Sequence, residues 1–162
     1  ASARIKTNDL SCVVRIESAH GSALLTGDIE ARSETTLLMN GAALRSEVMV
    51  VPHHGSRTSS TAAFITAVTP RIAIFTPGYR NRFGHPRAEV VERYRAAGAL
   101  LPRTDLQGAI TVVFDGDGPP RFAAQRDSQR RYWYDAPQPS TEDAAEAAPP
   151  PPSRVTTNED GR

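Results

Sequence analysis

Short apolar runs that end at a turn-forming residue recur along most of this chain, and they constrain its fold more than any other feature. Leu24-Leu25-Thr26-Gly27-Asp28 contains one such run, and Val48-Met49-Val50-Val51 followed by Pro52 is another. Runs this short and this sharply bounded predict buried β-strands. Amphipathic stretches of helical length separate them. Because strands alternate with helices, the sequence indicates an α/β layered fold.

The predicted elements follow one another closely from the N-terminus to the middle of the chain. They are a hairpin of residues 10–17 and 22–26, a helix after Asp28 that Gly41 closes, a strand over 47–51, a helix over 61–68, a strand over 71–76, a helix over 86–98 and a last clear strand over 109–114. Ser59 or Ser60 is expected to cap the helix over 61–68, since serine is a favoured N-cap residue.

The composition changes near Pro119, and three regions result. Residues 1–118 form a partial folded domain, residues 119–135 a basic and aromatic extension, and residues 136–162 a tail rich in Pro, Ala and acidic residues. The tail cannot bury enough apolar area to offset chain entropy, so we expect it to be disordered. The arginines of the extension could form a solvent-exposed charged face or contact phosphates. The segment Arg131-Tyr132-Trp133-Tyr134 could stack on bases or dock against the domain as a terminal strand.

Composition excludes several classes of protein. The chain has 162 residues, of which 39% are hydrophobic, so there is room for one domain with a modest core. Cys12 is the only cysteine, which rules out an intrachain disulfide bond. No apolar run approaches the ~18 residues of a membrane-spanning helix. We therefore expect the piece of protein given by this sequence to be soluble.

Metal-ligand side chains follow two of the predicted strands. Asp28 comes after the first run, and His53 and His54 come after the second. Polar residues at strand ends meet at one edge of an open α/β sheet, and carboxylate with imidazole suits zinc or manganese. In an extended segment adjacent histidines face opposite ways, so we expect one to bind metal, with His53 favoured. The alternatives are that Asp28 is a helix N-cap and that both histidines are structural.

Several weaker site candidates surround this pair of motifs. Ser56 and Ser59 supply hydroxyls near a helix start, which favour an anion such as phosphate. His85 lies in a loop after a strand and is a candidate catalytic residue that handles the leaving-group proton, or a plain loop histidine. Asn81 and Asp105 are further candidates for substrate binding, although the segment of Asp105 could simply be a turn before the last strand.

Taken in order, these motifs resemble the second half of the metallo-β-lactamase-like domain in the ComEC/Rec2 family of DNA-uptake (competence) proteins. The similarity runs from about residue 8 to about residue 117. Its motifs are Asn8–Ser11, Leu24–Asp28, Val51–Ser60 with its Pro-His-His-Gly-Ser core, Pro77-Gly78, Asn81–Pro86, and Arg103–Asp105 with Gly108. The resemblance implies an α/β fold that is the second half of an αββα sandwich, followed by the disordered tail.

The resemblance also implies a function. The chain would be the C-terminal part of a competence protein involved in DNA uptake, with the domain acting as a metal-dependent nuclease on the non-transforming DNA strand. The implied cofactor is a divalent metal, manganese or zinc, in a dinuclear centre of the complete domain. The alternatives are a non-catalytic module of the uptake channel that binds DNA or a partner, and another phosphoesterase of the metallo-β-lactamase fold.

One motif of that family is absent from this sequence. The His-x-His-x-Asp-His string, which supplies most of the ligands in the family, does not occur, and the four histidines are His20, His53, His54 and His85. The first residue is Ala1 rather than Met. We therefore expect a longer parent protein in the bacterial inner membrane, with the missing ligands and a membrane channel upstream. The expected partners are DNA, that channel portion and other competence proteins, and the fragment alone is expected to be inactive.

Overall fold

The computed structural model describes residues 7–116 and 118–128. Predictions for the aromatic segment 131–134 and for the tail 136–162 lie outside the described residues. The strands are β1 (Val14–Ser18), β2 (Gly21–Leu25), β3 (Val48–Val50), β4 (Ile72–Ile74), β5 (Ile110–Val113) and β6 (Arg121–Ala124). The helices are α1 (Ala31–Met39), α2 (Ala62–Val68), α3 (Ala88–Ala96), α4 (Thr104–Gln107) and α5 (Gln125–Ser128), with 3-10 turns at Thr7–Leu10 and Pro52–Gly55.

Four strands form a mixed sheet in the order β1-β2-β3-β4. The predicted hairpin is confirmed, since β1 and β2 pair antiparallel with Ser18 opposite Gly21. Its first strand is shorter than predicted, because residues 7–10 form a 3-10 turn. β2, β3 and β4 run parallel to one another, so the carboxyl ends of these three strands lie at the same edge of the sheet.

The two faces of the sheet are buried against different partners, because successive side chains of a strand alternate between its faces. One face packs against the helices, and its fully buried side chains include Met49 and Phe75 of the sheet with Phe64 and Tyr94. The opposite face packs against the β5–β6 hairpin, through Val48, Ile72 and Ile74 of the sheet and Ile110, Val112, Phe114 and Phe122. The predicted α/β fold is confirmed, with helices, a mixed sheet and a second small sheet in successive layers.

The second sheet contains a strand that the sequence pattern did not reveal. β5 matches the predicted strand over 109–114, but it is not the last, because β6 pairs with it from Ile110 opposite Ala124 to Val113 opposite Arg121. The segment Arg121–Ala124 carries one large apolar side chain, Phe122, which packs against the sheet. A strand with so little apolar character depends on its partner strand rather than on its own pattern.

One alternative and one expectation about helix caps are wrong: Asp28 was the alternative cap for α1, and a serine was the expected cap for α2. Glu30 is the N-cap residue of α1, and the carboxylate of Asp9 accepts a hydrogen bond from the Glu30 amide at 3.2 Å, so Asp28 is not the N-cap. Thr61 rather than a serine caps α2, since its hydroxyl accepts from the amide of Phe64 at 3.3 Å. The hydroxyl of Ser59 is directed to the carbonyl of Pro52 instead.

Within residues 7–116 and 118–128, every helix is too short or too polar to cross a lipid bilayer.

Candidate functional site

The loops that follow β2 and β3 meet at the shared edge of the sheet. The amide of His53 donates to the carbonyl of Gly27 at 3.0 Å, and the hydroxyl of Thr26 donates to the carbonyl of Val50 at 2.8 Å. These two hydrogen bonds tie the loop of Asp28 to the loop of the histidines. Because the polar residues that follow parallel strands lie at the same edge of the sheet, the two motifs lie close together, as the sequence predicted.

The two histidines occupy an unusual backbone conformation. His53 (φ 48°, ψ 41°) and His54 (φ 54°, ψ 20°) are both left-handed within the 3-10 turn Pro52–Gly55. The expectation of an extended segment, from which we inferred that the two imidazoles face opposite ways, is therefore wrong. Left-handed residues other than glycine cost about 1–3 kcal/mol each and concentrate at functional sites. Gly55 completes the turn with φ +84°, where an added Cβ would lie 2.7 Å from Pro86.

Asp28 and His54 form a close carboxylate–imidazole pair. Oδ1 of Asp28 lies 3.4 Å from Nε2 of His54, and both side chains are a little less than half exposed. Nδ1 of His54 lies 3.1 Å from the hydroxyl of Thr76, which follows β4. The amide of Asp28 donates to the hydroxyl of Ser11 at 3.1 Å, which fixes the start of the aspartate loop.

This pair fits part of a metal site. Two ligands about 2.1 Å from one tetrahedral ion stand about 3.4 Å apart, which is the separation of the Asp28 and His54 atoms. A catalytic zinc ion requires three protein ligands. Within the part of the chain that the structure describes, no group of three or more His, Cys, Asp or Glu side chains is arranged to hold a metal ion. The described residues thus offer two ligands and not a complete centre.

His53 has different neighbours from His54. Its Nε2 lies 3.3 Å from the side-chain nitrogen of Asn8. Nδ1 faces the hydroxyl of Thr58 at 3.5 Å and a carboxylate oxygen of Glu30 at 3.8 Å. A second imidazole–carboxylate pair, formed by His53 and Glu30, therefore lies next to the first.

His85 approaches the turn from a third loop. Its ring lies edge-on to the ring of His53, with 5.8 Å between centroids. Its Nδ1 is buried and has no hydrogen-bond partner among the described residues. Burial lowers the pKa of His85 below the ordinary value of 6.5, and the positive charges available to His53, Arg87 and His54 lower it further. The imidazole of His85 is therefore neutral at pH 7.

Of the remaining predicted site residues, Ser56, Ser59 and Asn81 lie in loops at this edge, and Asp105 lies in α4. The hydroxyl of Ser56 lies 3.1 Å from that of Thr58, and buried Ser59 donates to the carbonyl of Pro52 at 2.9 Å. The amide group of Asn81 bonds the backbone of His85. Asp105 forms an ion pair with Arg103 at 2.8 Å. Their predicted roles in substrate binding stay predictions.

Sequence reasoning did not predict the contacts of four residues with the histidines. Asn8 and Glu30 contact His53, Thr58 contacts His53, and Thr76 contacts His54. Thr76 follows β4 as Asp28 follows β2, so the strand-end rule that selected Asp28 could also have selected Thr76. Asn8 lies in an N-terminal 3-10 turn and reaches the site only through tertiary packing. Its sequence neighbourhood gave no signal for that contact.

Comparison with known proteins adds a family context. The chain is 43% identical over 107 residues to "Competence protein ComA" of Neisseria gonorrhoeae, a match that covers 65% of this chain and 16% of that protein. It is 33% identical over 103 residues to "ComE operon protein 3" of Bacillus subtilis, covering 64% of this chain and 13% of that protein. It is also 33% identical over 110 residues to "Recombination protein 2" of Haemophilus influenzae, a match that covers 68% of this chain and 14% of that protein.

Neither a protein-family model nor a solved structure matches the sequence. The matched part is about one sixth or less of the length of these curated relatives. The chain is therefore homologous to a segment of proteins that are named for competence and recombination.

Proposed function

We propose that this chain acts in DNA uptake, as part of a longer competence protein whose metallo-β-lactamase-like domain is a metal-dependent nuclease for the non-transforming strand. The names of the relatives support the role in competence. The order of layers, with helices, a sheet and then a second sheet, is what the second half of an αββα sandwich requires. That half alone would carry only part of the site.

The observation that carries this proposal is the 3.4 Å separation of Asp28 and His54 at the edge shared by β2 and β3. These two residues would hold a divalent metal, manganese or zinc, together with ligands supplied by residues that precede this chain in the longer protein. A bound divalent cation activates water and stabilises the charge that develops on phosphate oxygens. His53 and Glu30 lie beside the pair and would contribute to the second position of a dinuclear centre, whose remaining ligands the longer protein would supply.

His85 takes a defined role in this proposal. Burial lowers the pKa of its ring, which favours the neutral form that can accept a proton. His85 would therefore act as a base or orient a water molecule. Protonation of a leaving group, the role that the sequence analysis named, is the alternative role of the same side chain.

A second candidate function is favoured by one observation. The described residues contain no group of three metal ligands, so the chain could retain Asp28 and His54 as a structural pair in a non-catalytic module that binds DNA or a partner. In that case the pair is an ion pair or hydrogen bond at the sheet edge, and the longer protein would bind no catalytic metal there.

Replacement of Asp28 by alanine in the longer protein separates these functions. Loss of a direct ligand should reduce metal-dependent cleavage of an end-labelled DNA strand at least about 100-fold and weaken the binding of Mn²⁺ or Zn²⁺ measured by calorimetry. Glu92→Ala is the matched control, since it removes an exposed carboxylate from α3. Absence of metal-dependent cleavage by the unmodified protein would contradict the nuclease assignment, and wild-type cleavage or wild-type metal binding by the Asp28→Ala protein would contradict the assignment of Asp28 as a ligand.

A further inference from the structure

Two exposed aromatic side chains lie on the loop beside the histidine turn. Residues 77–86 connect β4 to the start of α3, and we refer to them as the aromatic loop. Tyr79 is 50% exposed and Phe83 is 62% exposed. Phe83 stacks on His85, with 6.2 Å between ring centroids and 18° between the ring planes. Since His85 in turn contacts His53, the exposed ring of Phe83 continues directly into the candidate site.

The aromatic loop is braced from within. The side chain of Asn81 accepts a hydrogen bond from the amide of His85 at 3.1 Å and donates to its carbonyl at 2.8 Å. The amide of Asn81 also donates to the carbonyl of Gly78 at 3.1 Å. The hydroxyl of Thr104 donates to the carbonyl of Pro77 at 2.9 Å and holds the start of the loop. The two rings are therefore presented by an ordered backbone, which lowers the entropic cost of binding a ligand on them.

Guanidinium groups accompany both rings. Arg80 and Arg126 lie over the ring of Tyr79, at 5.2 Å and 5.0 Å from its centroid. Arg82 lies over the ring of Phe83 at 5.3 Å. Residues 77–87 contain three arginines and no acidic residue. The surface thus combines partly exposed aromatic rings with guanidinium groups that lie over them, and it would attract a polyanion that carries aromatic groups.

We propose that the aromatic loop is a binding platform for single-stranded nucleic acid. Unpaired bases stack on exposed aromatic rings regardless of sequence, and arginines beside the rings contact the phosphates between the bases. A duplex conceals its base faces, so this surface should prefer a single strand. The inference rests on the proposed function, which it deepens, because a strand stacked on Phe83 would lead its phosphodiester backbone past His85 towards Asp28 and His54.

The test measures binding without cleavage. A fluorescein-labelled oligothymidylate is titrated with the full 162-residue chain in EDTA, and anisotropy is followed at several salt concentrations. Tyr79→Ala and Phe83→Ala should each weaken binding at least about fivefold. Arg82→Gln should reduce the slope of log K against log salt by about 0.7, the value for one phosphate contact to a single strand. Tyr79→Phe and Phe83→Tyr keep a ring and should bind as the wild type does.

Matched variants distinguish the loop from general surface effects. Met39→Ala truncates another exposed apolar side chain, and Arg45→Gln removes a charge from the pocket that Arg45 lines with Arg15 and Arg71. Neither should change affinity by more than about twofold. If an alanine variant fails to fold by circular dichroism, Tyr79→Leu and Phe83→Leu replace it, since leucine keeps apolar volume without a ring.

Three results would overturn the inference. These are unchanged affinity of the ring-deletion variants, equal affinity for a duplex of the same length, and equal loss with Arg45→Gln. Failure of the proposed function gives a different pattern. Loss of cleavage in Asp28→Ala with retained oligothymidylate binding supports both proposals, while absence of any metal-dependent cleavage with intact ring-dependent binding removes only the nuclease.

Discussion

Glu34 is a fully buried carboxylate that caps a helix to which it does not belong. It lies on α1, and its two oxygens accept hydrogen bonds from the amides of Ser60 and Thr61 at the start of α2, the latter at 2.8 Å. Ser60 is left-handed, with φ 62°, and fully buried, so water cannot replace the lost partner of its amide. Replacement of Glu34 by alanine should therefore destabilise the fold.

The size of the loss follows from these contacts. Each buried amide left without a partner costs about 1–3 kcal/mol, and removal of the carboxylate also relieves the penalty of burying a charge. We expect Glu34→Ala to lower the free energy of unfolding by about 2–4 kcal/mol. That is a large share of the ~5–15 kcal/mol that stabilises a typical domain. Glu34→Gln keeps one good acceptor oxygen and should lose about half as much.

Urea denaturation followed by circular dichroism measures this loss. The midpoint should shift while the m-value stays constant, because the surface exposed on unfolding does not change. Glu92→Ala is the matched control: Glu92 is exposed and pairs with Arg95 on the same helix, and such surface pairs contribute about 0–1 kcal/mol. A Glu34→Ala protein within about 0.5 kcal/mol of the wild type, or less stable by no more than Glu92→Ala, would refute the assignment of Glu34 as a buried cap.

Two further stability predictions use the same assay. Gly55→Ala should lower the free energy of unfolding by about 2–4 kcal/mol, because alanine is disfavoured at φ +84° and its Cβ would lie 2.7 Å from Pro86. Gly41 has φ +64° and open space around it, so Gly41→Ala should lower the free energy of unfolding by only about 1–2 kcal/mol. Equal losses in the two variants would contradict the steric argument. Tyr94→Phe should cost about 0.5–1.5 kcal/mol, because the buried hydroxyl donates to that of Ser60 at 3.1 Å, and an unchanged midpoint would show that this hydrogen bond contributes nothing.

The local pattern of apolar residues was sufficient to predict the parallel strands of the main sheet. β2, β3 and β4 all lie within apolar runs that end at Gly27, Pro52 or Pro77. In β3 and β4 the run is recognisable because burial on both faces of the sheet removes polar residues from the strand. β6 was missed for the opposite reason. Its residues Arg121–Ala124 acquire strand geometry by pairing with β5, and partner-dependent pairing leaves little trace in a four-residue window.

The helix caps show where local reasoning fails. Sequence neighbours suggested Asp28 for α1 and a serine for α2, but Asp9 serves α1 from a separate turn. The amides at the start of α2 are satisfied by Glu34, whose position in the sequence indicates only a residue suited to the first turn of its own helix. A distant carboxylate can replace a local cap whenever packing brings it within hydrogen-bond distance, and such packing has no local signature.

In the candidate site, strand topology could be predicted from the sequence, whereas loop conformation could not. Three parallel strands end at one edge, so Asp28 after β2, His54 after β3 and Thr76 after β4 had to lie near one another once those strands were identified. Which imidazole faces Asp28 was decided instead by two successive left-handed residues, a conformation to which alternation along an extended chain does not apply. Gly55 makes that turn possible, since a side chain at its position would collide with Pro86. The glycine of the motif therefore positions the histidines, even though it contacts no ligand itself.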